Sequence, residues 1–153
     1  MAPPLNVVRQ MLEAQMLFQI DPAKHGNNKG GPGTLLDNVA DNVDFHIIGE
    51  GSDLDVHIKG VQAVQSLASP GSRPSLDKII DSTKDVQTEV VHLIGSEESP
   101  WVAAVLRNIA TTKAGKPFRH EWVVIMEFDN QNRISTLKTY PDSHLLHSHA
   151  SDL

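Results

Sequence analysis

The chain has 153 residues, a length that suits one domain with a sizeable core. With 39% hydrophobic and 21% charged residues, net charge −6 and pI ≈ 5.7, it has the composition of a soluble globular protein. The acidic balance and the lack of any Lys/Arg cluster exclude a phosphate-tracking surface, so neither nucleic acid nor an anionic membrane is expected as a partner. Cysteine is absent, which rules out disulfides, thiolate metal sites and cysteine nucleophiles.

Residues 1–15, MAPPLNVVRQMLEAQ, lack a basic stretch followed by an apolar one, so no secretory signal is expected. No apolar run approaches the roughly 18 residues that span a bilayer, and there is no Asn-x-Ser/Thr site. A cytoplasmic location is the expectation. Residues 5–20 place Val8, Met11, Leu12 and Met16 at helical spacing behind Pro3 and Pro4. The polar, Gly- and Pro-rich segment 21–33 reads as a long loop, and its place between two helices suggests a flap over a cavity mouth. TLLDNVADN, from Thr34, reads as a second short helix with Thr34 as its N-cap. VDFHIIGEG follows as a strand stopped by glycines, then a helix over 60–68 broken by SPGSRPS.

From Val86 onward the pattern is a meander of four strands, 86–94, 101–112, 118–128 and 134–140, separated by the turns GSEESP, KAGKP and DNQNR. PDSHLLHSH closes with a short helix that Asp142 is placed to cap. The whole, residues 1–153, reads as a single α+β domain.

Alternation puts Phe118, His120, Trp122, Val124, Met126 and Phe128 on one side of the third long strand, an apolar face interrupted by one histidine. Such a ring is either hydrogen-bonded within the core or available to a ligand for proton transfer. Val105, Ile109, Val123 and Ile125 fall on the opposite face, a patch apolar enough to predict a sheet-to-sheet homodimer. Asp44 and His46 fall outward or at the rim. His144, His147 and His149 are spaced i, i+3, i+5, which does not align all three on one helix face, and no metal site is expected. GNNKGGPG lacks the Gly-Lys-Ser/Thr ending of a phosphate-cradling loop.

The order of elements, with NVADNVDFHIIGEG, HIKGVQAVQSL and GKPFRHEWVVIMEFDNQNRISTLKTYPDSHLL, resembles the nuclear transport factor 2-like fold, and within it the SnoaL-like cyclases, isomerases, dehydratases and epoxide hydrolases. The resemblance covers nearly the whole chain except 21–33. It implies a cone-shaped, strongly curved antiparallel sheet wrapped around N-terminal helices, a homodimer and no cofactor. In ketosteroid isomerases the base and the proton-donating acid fall where this chain has Ile47 and Val124. The Arg and Asp of limonene epoxide hydrolases fall at Val102 and Ala104, and their water-activating Asp at Thr139. None of these positions carries its family's acid, base or Arg here.

The same alignment turns Phe45, Ile47, Ala104, Leu106, Asn108, Phe118, His120, Trp122, Val124, Met126, Leu137 and Thr139 toward the interior. An apolar, aromatic cavity with a few polar points suits a small-molecule site. His120, Asn108 and Thr139 are the expected catalytic group; Phe45, Ile47, Leu106, Phe118, Trp122, Val124, Leu137 and Tyr140 are expected to bind substrate. The expected function is a cofactor-independent cyclase, isomerase or dehydratase acting on a small, largely apolar biosynthetic intermediate of secondary-metabolite type. The alternative is a ligand-binding or dimerisation module that keeps the fold without the chemistry.

Overall fold

In a computed structural model, the protein is described over residues 2–25, 31–49, 55–67 and 76–150. Helix α1 (Leu5–Ile20) follows Pro4 and turns Val8, Met11, Leu12, Gln15, Met16 and Ile20 inward, the face that the apolar spacing predicts. A short helix α2 (Pro22–His25) occupies the start of the loop 21–33 expected as a flap, and residues 26–30 of that loop lie outside the described residues.

The helix expected from Thr34 is a single 3-10 turn, Leu36–Asn38. Its ends are held reciprocally: Thr34 N–H donates to Asp37 Oδ2 at 2.9 Å and Asp37 N–H donates to Thr34 Oγ1 at 3.3 Å. Asn38 Nδ2 donates to the Pro32 and Thr34 carbonyls, closing the turn on itself instead of letting a helix continue. Strand β1 (Val39–Ile47) starts at the next residue because Val39, Ala40, Val43 and Phe45 have a sheet to join.

Next come β2 (Val56–Lys59), which the sequence pattern does not announce, α3 (Val61–Leu67) and the short α4 (Leu76–Ile79). Gly60, at φ 94°, makes the left-handed turn from β2 into α3. The break expected after α3 lies outside the described residues. The meander follows as β3 (Gln87–Gly95), β4 (Trp101–Thr111), β5 (Pro117–Phe128) and β6 (Ile134–Tyr140), with α5 (Ser143–Ala150) last.

The six strands form one open sheet in the order β2-β1-β6-β5-β4-β3. All neighbours are antiparallel except β1 and β6, which run parallel, with Phe45 beside Leu137 and Ile47 beside Thr139. Burial along β4 and β5 alternates residue by residue, so one face of each strand is core. That inner face packs on α1 through Val8, Leu12, Met16, Phe45, Leu106, Trp122, Val124 and Met126. A second, smaller cluster of Ile20, Ile79, Ile80, Ala110 and Phe118 lies at the other end of the β4–β5 pair, with Leu145 and Leu146 of α5 packed on it. Among the described residues no helix is long and apolar enough to cross a membrane.

Candidate functional site

Between α1 and the inner face of the sheet lies a cleft of about 100 Å³. Leu12, Gln15, Met16 and Gln19 of α1 line one side, with Leu35 and Leu36 beside them. Phe45 and Ile47 of β1, Leu106 of β4, Trp122 and Val124 of β5, and Leu137 and Thr139 of β6 line the other. Among the described residues no lining side chain is ionisable. The polar groups are Gln15, Gln19 and Thr139, and Gln15 Oε1 already accepts the Leu36 N–H at 3.3 Å.

Directly opposed pairs along β4 and β5 stack in layers: Leu106 with Trp122, then Asn108 with His120, then Ala110 with Phe118. Leu106 and Trp122 belong to the main core, and Ala110 and Phe118 to the second cluster. The Asn108–His120 pair is therefore a polar layer between two apolar ones. Asn108 is fully buried and His120 is 3% exposed.

His120 is held on three sides. Its ring lies parallel to Trp122, with centroids 4.6 Å apart, and Phe118 is tilted against it at 6.0 Å. Its Nε2 accepts the backbone N–H of Asp142 at 3.1 Å. An imidazole nitrogen that accepts carries no proton, so the neutral ring holds its proton on Nδ1. Burial lowers the pKa from 6.5 to about 4, against the opposing pull of the Asp142 carboxylate. At neutral pH the ring is thus an uncharged donor through Nδ1. Among the described residues neither Nδ1 nor either amide atom of Asn108 has a hydrogen-bond partner.

Asp142 caps α5, accepting the Leu145 N–H on its carboxylate at 3.0 Å and the Leu146 N–H on its carbonyl at 3.1 Å. The His149 ring meets Phe118 edge-on at 5.3 Å, so α5 closes this end of the sheet.

Seven of the expected site residues come together in the cleft: Phe45, Ile47, Leu106, Trp122, Val124, Leu137 and Thr139. Asn108 and His120 lie one pair beyond its wall, and Phe118 one pair further, under α5. Tyr140 lies apart from them. It stands beside Val123 on the outer face and is 40% exposed, because alternation on β6 turns Thr139 inward and Tyr140 outward. The helix side of the cleft, Leu12, Gln15, Met16 and Gln19, was not foreseen; the only sequence signal is a glutamine on the apolar stripe of α1.

A second histidine cluster lies on the β1–β2 hairpin. His46 and His57 are cross-strand partners with rings stacked at 4.5 Å. His46 Nε2 is 3.3 Å from Asp55 Oδ1, and His57 Nε2 is 2.6 Å from Asp44 Oδ1. Both aspartates are partly exposed, and among the described residues no group of three or more acidic or histidine side chains is arranged to hold a metal.

No protein-family model and no curated protein matches the chain. Solved structures do. A Rhodopseudomonas palustris protein provisionally named an isomerase is 15% identical, with TM-score 0.63, covering 96% of this chain and 97% of that one. An NTF2-like protein of unknown function from Burkholderia pseudomallei is 14% identical, with TM-score 0.63, covering 95% and 98%. A Mycobacterium tuberculosis protein in complex with estradiol-17beta-hemisuccinate is 16% identical, with TM-score 0.53, covering 92% and 94%. Likeness at this level of identity establishes architecture, and the architecture of this chain is the nuclear transport factor 2-like fold.

Proposed function

We propose that the chain binds a small, largely apolar metabolite in the cleft and isomerises, cyclises or dehydrates it without a cofactor, as a homodimer in the cytoplasm. The observation that carries this reading is the amide of Asn108 and the imidazole N–H of His120, buried behind the aromatic wall of the cleft and without a partner among the described residues. Preorganised donors in a dry site stabilise charge that develops on a substrate oxygen. His120 acts as such a donor rather than as a base, since the lone pair of Nε2 is engaged by Asp142. Thr139 supplies a hydroxyl on the far strand, and the apolar walls fix the orientation of a reactive substrate. The isomerase name of the R. palustris protein and the ligand of the M. tuberculosis protein are in keeping with this reading.

A second reading, a binding module without turnover, is favoured by one observation: among the described residues no ionisable side chain lines the cleft. Proton transfer needs a group within hydrogen-bond reach. The cleft is also small beside the roughly 300–1,000 Å³ of drug-sized pockets, which points to a compact ligand in either case. The experiment is to identify by mass spectrometry the small molecules that co-purify with the protein and return each to fresh protein. Conversion to an isomer, or to a product lighter by one water, supports the enzyme. A compound retained tightly and recovered unchanged leaves the binding module.

A further inference from the structure

We propose that Asn108 and His120 form a polar subsite at the inner end of the cleft that takes an uncharged ligand through a carbonyl oxygen with an O–H or N–H group beside it. This rests on the reading of the cleft as a small-molecule site. Asn108 is fully buried, and neither its amide oxygen nor its amide nitrogen has a partner among the described residues. A leucine would fill that volume without leaving polar atoms bare, so the fold itself gives no reason for an asparagine here. His120 Nδ1, also without a partner, belongs to the residue directly opposite in the β4–β5 register. Opposed side chains in such a pair start from Cβ atoms about 4.5–5.5 Å apart.

Together the pair offers donors from Asn108 Nδ2 and His120 Nδ1 and an acceptor in Asn108 Oδ1. A carbonyl oxygen receives the two donors, and an adjacent O–H or N–H meets the acceptor. Charge selects further. Among the described residues no Lys or Arg lines the cleft and the charge that acts on the ring is the Asp142 carboxylate, so an anion finds nothing there to neutralise it. An ammonium would meet two donors and a single acceptor. The subsite is one residue pair from the cleft, because Leu106 and Trp122 line the cleft and are the next layer along the same strands. A ligand group reaches the pair only if the Leu106 or Trp122 side chain turns aside.

Benzamide, benzoate and cumene share one shape and differ only in the group this pair would read. In the wild-type protein, benzamide is expected to shift the side-chain amide resonance of Asn108 and the Nδ1–H resonance of His120, and cumene to bind without shifting either. Benzamide should bind about tenfold or more tightly than benzoate. In Asn108→Leu the preference for benzamide over cumene should fall by about tenfold, the worth of one net hydrogen bond. Cumene binding with no benzamide-induced shift at Asn108 or His120 overturns the subsite and leaves the cleft reading intact; a trapped water serving the pair would give that result. Benzoate binding as tightly as benzamide overturns the selection for an uncharged ligand. If none of the three binds, the cleft reading falls and the subsite with it. The resonance shifts decide the matter in the wild-type protein should Asn108→Leu fail to fold.

Discussion

His120 Nε2 accepts the backbone N–H of Asp142 across 3.1 Å, tying the first third of β5 to the residue that caps α5. The histidine in the apolar face thus has a structural use in addition to any toward a ligand. Replacing it with phenylalanine keeps a ring of similar shape and leaves the Asp142 N–H bare. His120→Phe should lose about 1–3 kcal/mol of stability, with faster amide exchange across 143–150. Unchanged stability and unchanged exchange in α5 would remove this anchoring role.

Acid should act through the same ring. The unfolded histidine titrates near 6.5 and the folded one at about 4. Between those values the unfolded chain binds a proton that the folded chain refuses, so stability is fully present above about pH 6.5 and falls as pH drops toward 4. The loss attributable to His120 is about 3 kcal/mol. Protonation also turns Nε2 from acceptor to donor, which breaks the bond to Asp142. Denaturant unfolding of the wild type and His120→Phe should show the wild-type advantage shrinking and then reversing over this range. An advantage that stays constant from about pH 7.5 down to about 4 contradicts the shift.

Asn108 carries the opposite expectation. Asn108→Leu replaces two bare polar atoms with apolar ones of similar volume, between the Leu106–Trp122 and Ala110–Phe118 layers. Its stability should rise by about 1–3 kcal/mol while affinity for a carbonyl ligand falls. A clear loss of stability on this change would mean that the amide is satisfied within the fold.

The outer face of the sheet tests assembly. Val105, Ile109, Val123 and Ile125 remain half-exposed there, beside Arg107, which bridges Glu89 and Glu121. These ion pairs are exposed and contribute little by themselves; the aliphatic patch is the expected contact between two copies. A Val123→Lys, Ile125→Glu double variant should sediment as a monomer or aggregate. A dimer of unchanged strength in that variant would rule out this face as the interface.

The parts of the fold readable from sequence are those whose periodicity is local. Strands β4 to β6 show their alternation directly, and α1 its apolar stripe, so both ends of α1 and β6 fall where the pattern puts them. Residues 34–42 misled because Thr34 Oγ1 does accept the Asp37 N–H, yet the element it starts is one turn, and Val39 is drawn into a sheet whose partner is more than ninety residues away. For the same reason the sheet side of the cleft was legible and the helix side was not: Gln15 and Gln19 reach the cleft through the seating of α1 on the sheet, which no local pattern encodes. The bond from Asp142 to His120 joins residues 22 apart through a chain reversal, and only the folded register reveals it.

The parallel pairing of β1 with β6 sets an order of events in folding. Strands β3 to β6 are joined by short turns and can zip up from nearest-neighbour contacts. β1 and β2 form a hairpin whose place in the sheet is beside β6, the last strand to be made. Closing a loop of roughly 90 residues must precede any gain from that pairing. Until it happens, Phe45 and Ile47 have only β2 beside them, and the sheet side of the cleft lacks its β1 residues. The slow step in forming this protein is therefore also the step that builds its binding site, and a nascent chain lacking the last twenty residues has neither.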